Sequence, residues 1–261
     1  MTSGPIVTAF LHERLSRWSR RRFTYRFVVA PETIGSIAYL SRYGQELNER
    51  LRGGFVLTCL GGEEPLSCKL SRRETSDLDL LVKHLFEKRI PGHIRPFTPI
   101  YGSDERQYCS PGYNLPVVQM SRRLHKPFRE YHSSLDTKES MTIEALQRSV
   151  DELELVLKAF ELDGYYVNTN PYGEVKLDRH GLYPDMNSHR SWKRSNNDIE
   201  DSRVQLNRIL LMLNYSDGRH ALREIARKAG CTVLEMERIV AMLKERGLLA
   251  GPFPEERGLF E

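Results

Sequence analysis

The 261-residue sequence has no apolar run near the roughly 18 residues that a bilayer-spanning helix needs, and no apolar block of a signal peptide at its start. The expectation is a cytoplasmic protein. Cysteine is scarce: Cys59, Cys68, Cys109 and Cys231 stand far apart, with no C-x-x-C pair. This argues against a disulfide framework and for reduced, mostly buried thiols. Also missing are a P-loop, a dinucleotide-binding glycine fingerprint, a G-x-S-x-G elbow and an H-E-x-x-H helix, which removes several common enzyme classes. There is no internal repeat. Net charge is only +4. Part of it comes from Arg14, Arg17, Arg20, Arg21 and Arg22, either an anion-attracting patch or, more simply, a solvated helix end and a basic turn.

What is present suits a globular chain: 39% apolar and 28% charged residues, enough length for one large domain and one small. Helical spacing runs from Ile6 to Trp18, with Pro5 suited to a first turn. Phe23 to Ala30 (F-T-Y-R-F-V-V-A) is rich in aromatic and β-branched residues and predicts a largely buried strand. A helix over Ile34–Leu51 and an apolar strand over Phe55–Leu60 follow, the alternation of a βαβ unit. Thr75–Lys88 predicts a helix capped by Ser76 or Thr75. Residues 91–116 carry five prolines, too many for regular structure, before a short strand at Val117–Met120. Met141–Leu162 is the longest helical pattern, with Ile143, Leu146, Val150, Leu153, Val156, Leu157 and Phe160 on one side.

After residue 163 the composition turns to Asn, Gly and Pro and then to the polar run 188–198, a connector. Three short helical patterns follow, Val204–Leu213, Leu222–Ala229 and Val233–Leu243, broken at Asp217-Gly218 and at 229–232. That spacing suits a helix-turn-helix core with a short wing. The divisions expected are therefore an α/β domain over 1–165, a connector over 166–202 and a winged-helix-like domain over 203–261.

Three segments put acid or imidazole groups where a strand ends or a loop turns. Glu32, in P-E-T-I-G-S, sits where a carboxylate can face a ligand crevice or cap a helix. Asp104, in G-S-D-E-R-Q-Y, lies in the proline-rich loop, as a site residue or a plain turn. His132 and Asp136, in Y-H-S-S-L-D, pair an imidazole with a carboxylate that can orient it.

Taken in order, these segments resemble the zinc-dependent aminopeptidase family, whose α/β fold holds two co-catalytic metals. Ser3-Gly4-Pro5-Ile6-Val7 resembles the family's Ser-Gly helix start, Glu32-Thr33-Ile34-Gly35 its Glu-Glu-x-Gly, and Ser103-Asp104 and Tyr131–Asp136 its Ser-Asp loop and Tyr-His-Thr-x-x-Asp turn. The nearest likeness is to a bacterial and archaeal branch that ends in a winged helix and often occurs with polysaccharide-biosynthesis genes. The resemblance implies a partial three-layer zinc-exopeptidase-like domain followed by a winged helix. It assigns Glu32 as the base that deprotonates a metal-bound water, His132 as a zinc ligand, and Asp104 and Asp136 as site-shaping residues.

The sequence also departs from the family. Thr33 replaces the second glutamate, and Thr58 or Cys59 stands where an aspartate ligand would end a strand. The family's early His and bridging Asp fall before residue 1. The expectation is thus an N-terminally truncated, metal-dependent hydrolase of a peptide or amide-like substrate, with an incomplete zinc site. The alternatives are a non-catalytic binding or regulatory module, and DNA binding through the tail. From Arg203 to Gly251 nine Lys or Arg face five Asp or Glu, but Glu235 and Glu237 open the would-be recognition helix. A protein contact or homo-oligomer through the winged helix fits better than DNA.

Overall fold

The computed structural model describes residues 2–122, 129–182 and 202–257. It is a mixed α/β structure with two sheets, divided into two compact units, Met1–Glu161 and Leu162–Glu261.

In the first unit, α1 (Ser3–Ser16) buries Val7, Leu11 and Leu15, one residue per turn of a single face. Its first turn seats on the end of strand β1: the Leu60 N–H donates to Ser3 Oγ at 2.9 Å. A side chain at position 4 would lie 2.2 Å from the Leu57 carbonyl oxygen, so only glycine allows this approach. Helix α2 (Ile34–Arg50) places Leu40 against Cys109, Leu115 and Val117. The sheet is formed by β1 (Gly54–Leu57), β2 (Leu66–Lys69), β3 (Gly92–Arg95) and β4 (Val117–Ser121), in the order β1-β4-β2-β3. β1 runs parallel to β4 and β2 to β3, while β2 and β4 are antiparallel. Helix α3 (Asp77–Lys88) makes the crossover from β2 to β3. Its N-cap is Ser76, locked in a reciprocal box with Asp79.

The sheet's centre is unusual in its polarity. On one face of β2 and β4, Ser67, Lys69, Gln119 and Ser121 are all buried, while Cys68, Val118 and Met120 fill the other. Arg95 of β3 makes this polar stripe tolerable, donating to Ser67 Oγ at 2.8 Å and Gln119 Oε1 at 3.2 Å. After the short helix α4 (Glu105–Tyr108) and β4, α5 (Ile143–Leu162) buries Val150, Leu153, Val156 and Leu157. Its Glu154 accepts from Arg14 at 2.7 Å and Trp18 at 3.2 Å, tying α5 to α1.

The second unit has a three-stranded antiparallel sheet in the order β6-β5-β7, with β5 (Tyr165–Asn168) central, β6 (Asp217–Ala221) and β7 (Leu249–Phe253). Helices α6 (Ser202–Tyr215), α7 (Leu222–Lys228) and α8 (Glu237–Glu245) enclose Leu213, Ile225, Val233, Met236, Ile239, Val240 and Leu243. Two helices followed by a strand wing give a winged helix. All four cysteines are buried, and none is in a disulfide. Among the described residues, no helix is long and apolar enough to cross a membrane.

Several expectations change. Residues 23–30 are not a buried strand. They run without regular structure and largely exposed, because a strand exists only where it has a partner, and among the described residues none pairs with them. The proline-rich stretch is not wholly irregular: β3 and α4 lie within it, between its prolines. Asp217-Gly218 does not simply break two helices but starts β6. Ile143 is exposed rather than on the buried side of α5. Residues 166–168, assigned above to the connector, belong to β5; the polar run 188–198 lies outside the described residues. Of the arginine cluster, Arg14 pairs with Asp151 and Glu154, Arg17 with Glu13, and Arg22 donates to the Phe160 carbonyl.

Candidate functional site

The foundation of the site is a buried ion pair that sequence reading did not single out. Lys69 on β2 and Glu105 at the start of α4 are both fully buried, with Nζ to Oε1 at 2.7 Å. Lys69 also donates to the Tyr101 carbonyl, and the Ser103 N–H donates to Glu105 Oε2 at 2.9 Å. Burial pulls the Lys69 ammonium below its usual range and Glu105 works against that loss. Residues 101–105 are thereby clamped from beneath. Gly102, at φ 140°, is required here, since a Cβ would fall 1.9 Å from Glu105 Oε1. The signal in the sequence is a lysine inside the otherwise small and apolar run L-S-C-K-L.

The clamped loop presents Ser103 and Asp104 outward, to the turn that carries Glu32. Ser103 Oγ donates to Glu32 Oε1 at 2.7 Å, and the Thr33 N–H donates to Asp104 Oδ1 at 2.7 Å. These bonds join segments 71 residues apart in the sequence. Asp104 does more than shape a turn: it holds Thr33 at φ 63°, a conformation β-branched residues rarely adopt. Among the described residues, three of the five non-glycine residues with positive φ belong to these segments or to the position noted beside them: Thr33, Cys59 (φ 52°) and His132 (φ 54°). Strain of this kind concentrates where surrounding structure is holding a site in shape.

The third segment carries Tyr131, whose phenol feels the Glu32 carboxylate. That phenol is raised above the ordinary tyrosine range by burial first, then by the Cys59 thiol and the Glu32 carboxylate, against Arg106. It stays protonated at neutral pH, a donor within electrostatic reach of Glu32. The ring stacks on His132, with centroids 3.9 Å apart. His132 itself is exposed. Asp136 accepts a long bond, 3.5 Å, from Ser140 Oγ in its own turn. Glu32 and Asp104 are thus joined directly to one another's loops, while His132 stacks on Tyr131 and makes no bond to either loop among the described contacts. Thr58 and Cys59, at the end of β1, contact each other at 3.5 Å.

A hydrolytic zinc needs about three protein donors and one open position. Among the described residues no group of three His, Cys, Asp or Glu side chains is arranged to hold a metal ion. The described donors do not by themselves fit the two-metal set that the resemblance implies. A cavity of about 580 Å³ lies elsewhere, in the second unit, lined by Asn168, Asn207, Leu210, Leu213, Asn214 and Tyr215 among others. Its lining also holds one carboxylate, Glu174, and no imidazole or thiol.

Known proteins share this framework. A Clostridium acetobutylicum protein, provisionally named as a polysaccharide biosynthesis protein with an aminopeptidase-like domain, is 33% identical over 238 residues, covering 91% of this chain and 51% of its own length. A crystal structure from the same organism, provisionally described as a peptidase, superposes with a TM-score of 0.78 at 29% identity, over 95% of this chain and 53% of the other. The chain therefore spans about half the length of these relatives. Residues 164–251 match a winged helix-turn-helix model. Residues 1–163, more than half of the chain, match the family model described as a domain of unknown function, and the chain accordingly belongs to that family, DUF4910, with a winged helix-turn-helix domain behind it.

Proposed function

We propose that the first unit is an aminopeptidase-like hydrolase unit acting on a peptide or amide-like substrate, with Glu32 as its acid–base residue. The observation that carries this reading is the placement of the Glu32 carboxylate, held by Ser103 at 2.7 Å on a loop clamped by a buried ion pair. Exposed carboxylates are ordinarily free to rotate; this one has a fixed orientation and open access. From that position it can take a proton from an attacking water and pass it to the departing amine. Tyr131, kept protonated, can donate to a carbonyl oxygen as charge develops there. Asp104 acts on Glu32 through the backbone of Thr33. The names carried by the two clostridial relatives support the same class of chemistry.

His132 is the imidazole that would contribute to a zinc site, with its remaining donors supplied from outside the described residues. A second reading, a binding or regulatory module without catalysis, is favoured by one observation: that shortfall of donors. The winged helix serves a protein contact rather than DNA in either reading. The Glu235 carboxylate at the head of the recognition segment is occupied, accepting from the Thr232 N–H and hydroxyl at 2.8 Å and pairing with Arg208 at 3.4 Å. Burial alone would raise its pKa, but these partners hold it below the usual range and keep it ionised opposite any phosphate.

The test is hydrolysis of a panel of aminoacyl amides by the purified chain, with zinc added and withheld, beside Glu32→Gln. Turnover that falls about 100-fold or more in the variant, the usual scale for a lost acid–base group, supports the reading. Equal rates in the two proteins would end it, and no turnover with saturable binding would favour the module.

A further inference from the structure

Ser103 engages the Glu32 carboxylate through its hydroxyl, and through its carbonyl it holds a group of opposite charge. Arg106 Nε donates to the Ser103 carbonyl oxygen at 3.2 Å, so a guanidinium and the Glu32 carboxylate are tied to the same residue. Arg106 is half-buried, and among the described residues that carbonyl is its one hydrogen-bond partner. No carboxylate pairs with it. The acids of its own loop are engaged elsewhere, Glu105 with Lys69 and Asp104 with the Thr33 N–H. Holding a guanidinium partly out of water without a counter-charge costs free energy, and an anionic ligand offsets that cost. With Nε fixed on the clamped loop, the two Nη groups remain, the pair that can grip a carboxylate through parallel hydrogen bonds.

The surroundings place this fork beside the groups that address the substrate amide. Arg106 acts electrostatically on the Tyr131 phenol, as Glu32 does, and on the Lys69 ammonium beneath the loop. Arg95 acts on the same lysine and bonds only the neutral oxygens of Ser67, Gln119 and Ser121. The Glu32 and Asp104 carboxylates oppose an incoming anion. They would do so across the breadth of Ser103 and partly through water, whereas the Arg106 fork would touch it, and Coulomb energy falls with distance and screening. A substrate carboxylate one residue from its scissile carbonyl can bridge this arrangement, at about 3.3–3.6 Å per residue of extended chain. We propose that Arg106 is the specificity-determining residue of the Glu32 site and binds a carboxylate of the substrate next to the amide that Tyr131 and Glu32 address. The substrate class is then a short peptide whose C-terminal carboxylate, or acidic side chain, adjoins the scissile bond. The part that carboxylate plays in hydrolysis rests on the hydrolase reading; its binding to Arg106 does not.

The experiment is calorimetric titration of the purified chain with three small probes: N-acetylalanine, its uncharged counterpart N-acetylalaninamide, and N-acetylaspartic acid α-amide, whose one carboxylate is the side chain's. At least one of the two carboxylates should bind about 10-fold or more tightly than the uncharged amide, and the tighter one identifies the source of the anion. Arg106→Gln should remove that preference and leave the affinity for N-acetylalaninamide as it was. Arg106→Lys keeps the charge and loses the fork, so it should weaken carboxylate binding alone, and it decides the matter if the glutamine variant does not fold. Absence of binding, no carboxylate preference in the parent chain, or a preference that survives both substitutions would each overturn the proposal. So would an equal loss for charged and uncharged probes, which would show that Arg106 only holds the Ser103 loop. Carboxylate binding that depends on Arg106, without turnover of any dipeptide, would instead overturn the hydrolase reading and leave the carboxylate site standing. Turnover of alanylalanine and alanylalaninamide with equal KM would do the reverse.

Discussion

The two units treat apolar side chains differently. Eleven of the thirteen large hydrophobic residues that stand exposed among the described residues lie in the first unit, from Phe10 to Ile143, and only Tyr172 and Val204 in the second. The first unit also buries ions, Lys69 with Glu105 under the site loop and Arg122 with Glu152, Ser149 and the Glu64 carbonyl. The second buries an ion pair of its own, Arg223 with Asp163 at 2.7 Å, beside an aliphatic core between its helices. An exposed apolar face and a buried polar stripe both run against the hydrophobic effect, and a chain tolerates them where they serve recognition or chemistry. The second unit shares ion-pair burial, and what sets the first apart is its exposed apolar residues and the polar stripe in its sheet.

The contrast can be broken most forcefully at the ion pair. Glu105→Ala leaves the Lys69 ammonium buried without a counter-charge and should destabilise the first unit by about 3–5 kcal/mol, while the second unit's calorimetric transition stays in place. A single merged transition would show that the units do not unfold separately. The converse change, Ile239→Ala in α8, should cost the second unit about 2–5 kcal/mol through lost burial and a cavity, and leave amide turnover by the first unit unchanged.

A smaller effect follows acid. Burial would raise the Glu154 pKa, but Arg14, Lys158 and Trp18 outweigh it and hold the carboxyl below its usual range. A depressed folded pKa contributes stability that is full above the unfolded value, about 4.3, and is lost as pH falls through the folded one. Urea midpoints of the first unit should therefore drop as pH falls below about 4, and Glu154→Gln should flatten that slope. Smallest of all, Asp104→Ala removes the acceptor of the Thr33 N–H and should cost about 1 kcal/mol, partly recovered by Thr33→Gly, which relieves the positive φ. If Thr33→Gly alone raises thermal stability and lowers turnover, the strain serves the site.

Helical elements were the most legible. Val7, Leu11 and Leu15, or Val150, Leu153 and Leu157, repeat at a spacing that only a helix turns to one side, and Ser76 with Asp79 marks a start without reference to the rest of the chain. Short strands were not. D-G-R-H-A has little strand preference of its own and becomes β6 by pairing with β5, while Asp217 folds back on His220 Nδ1 at 2.9 Å. F-T-Y-R-F-V-V-A has every local preference for a strand and is not one, for lack of a partner. The candidate site shows the same division. Glu32, Asp104 and His132 could be named from their motifs, but not Lys69 and Glu105, which hold the loop in place.

By itself, the order of residues determined where helices start and stop, the motif types at Glu32, Ser103-Asp104 and Tyr131-His132, and the helix-turn-helix spacing of the tail, because each depends on neighbours a few positions away. Only the tertiary structure decided which strands exist, that the Ser103-Asp104 loop closes on Glu32 and Thr33, and that a fully buried Lys69–Glu105 pair lies beneath it. Main-chain pairing and ion burial join groups tens of residues apart, and their free energy depends on what has already been brought alongside and shielded from water.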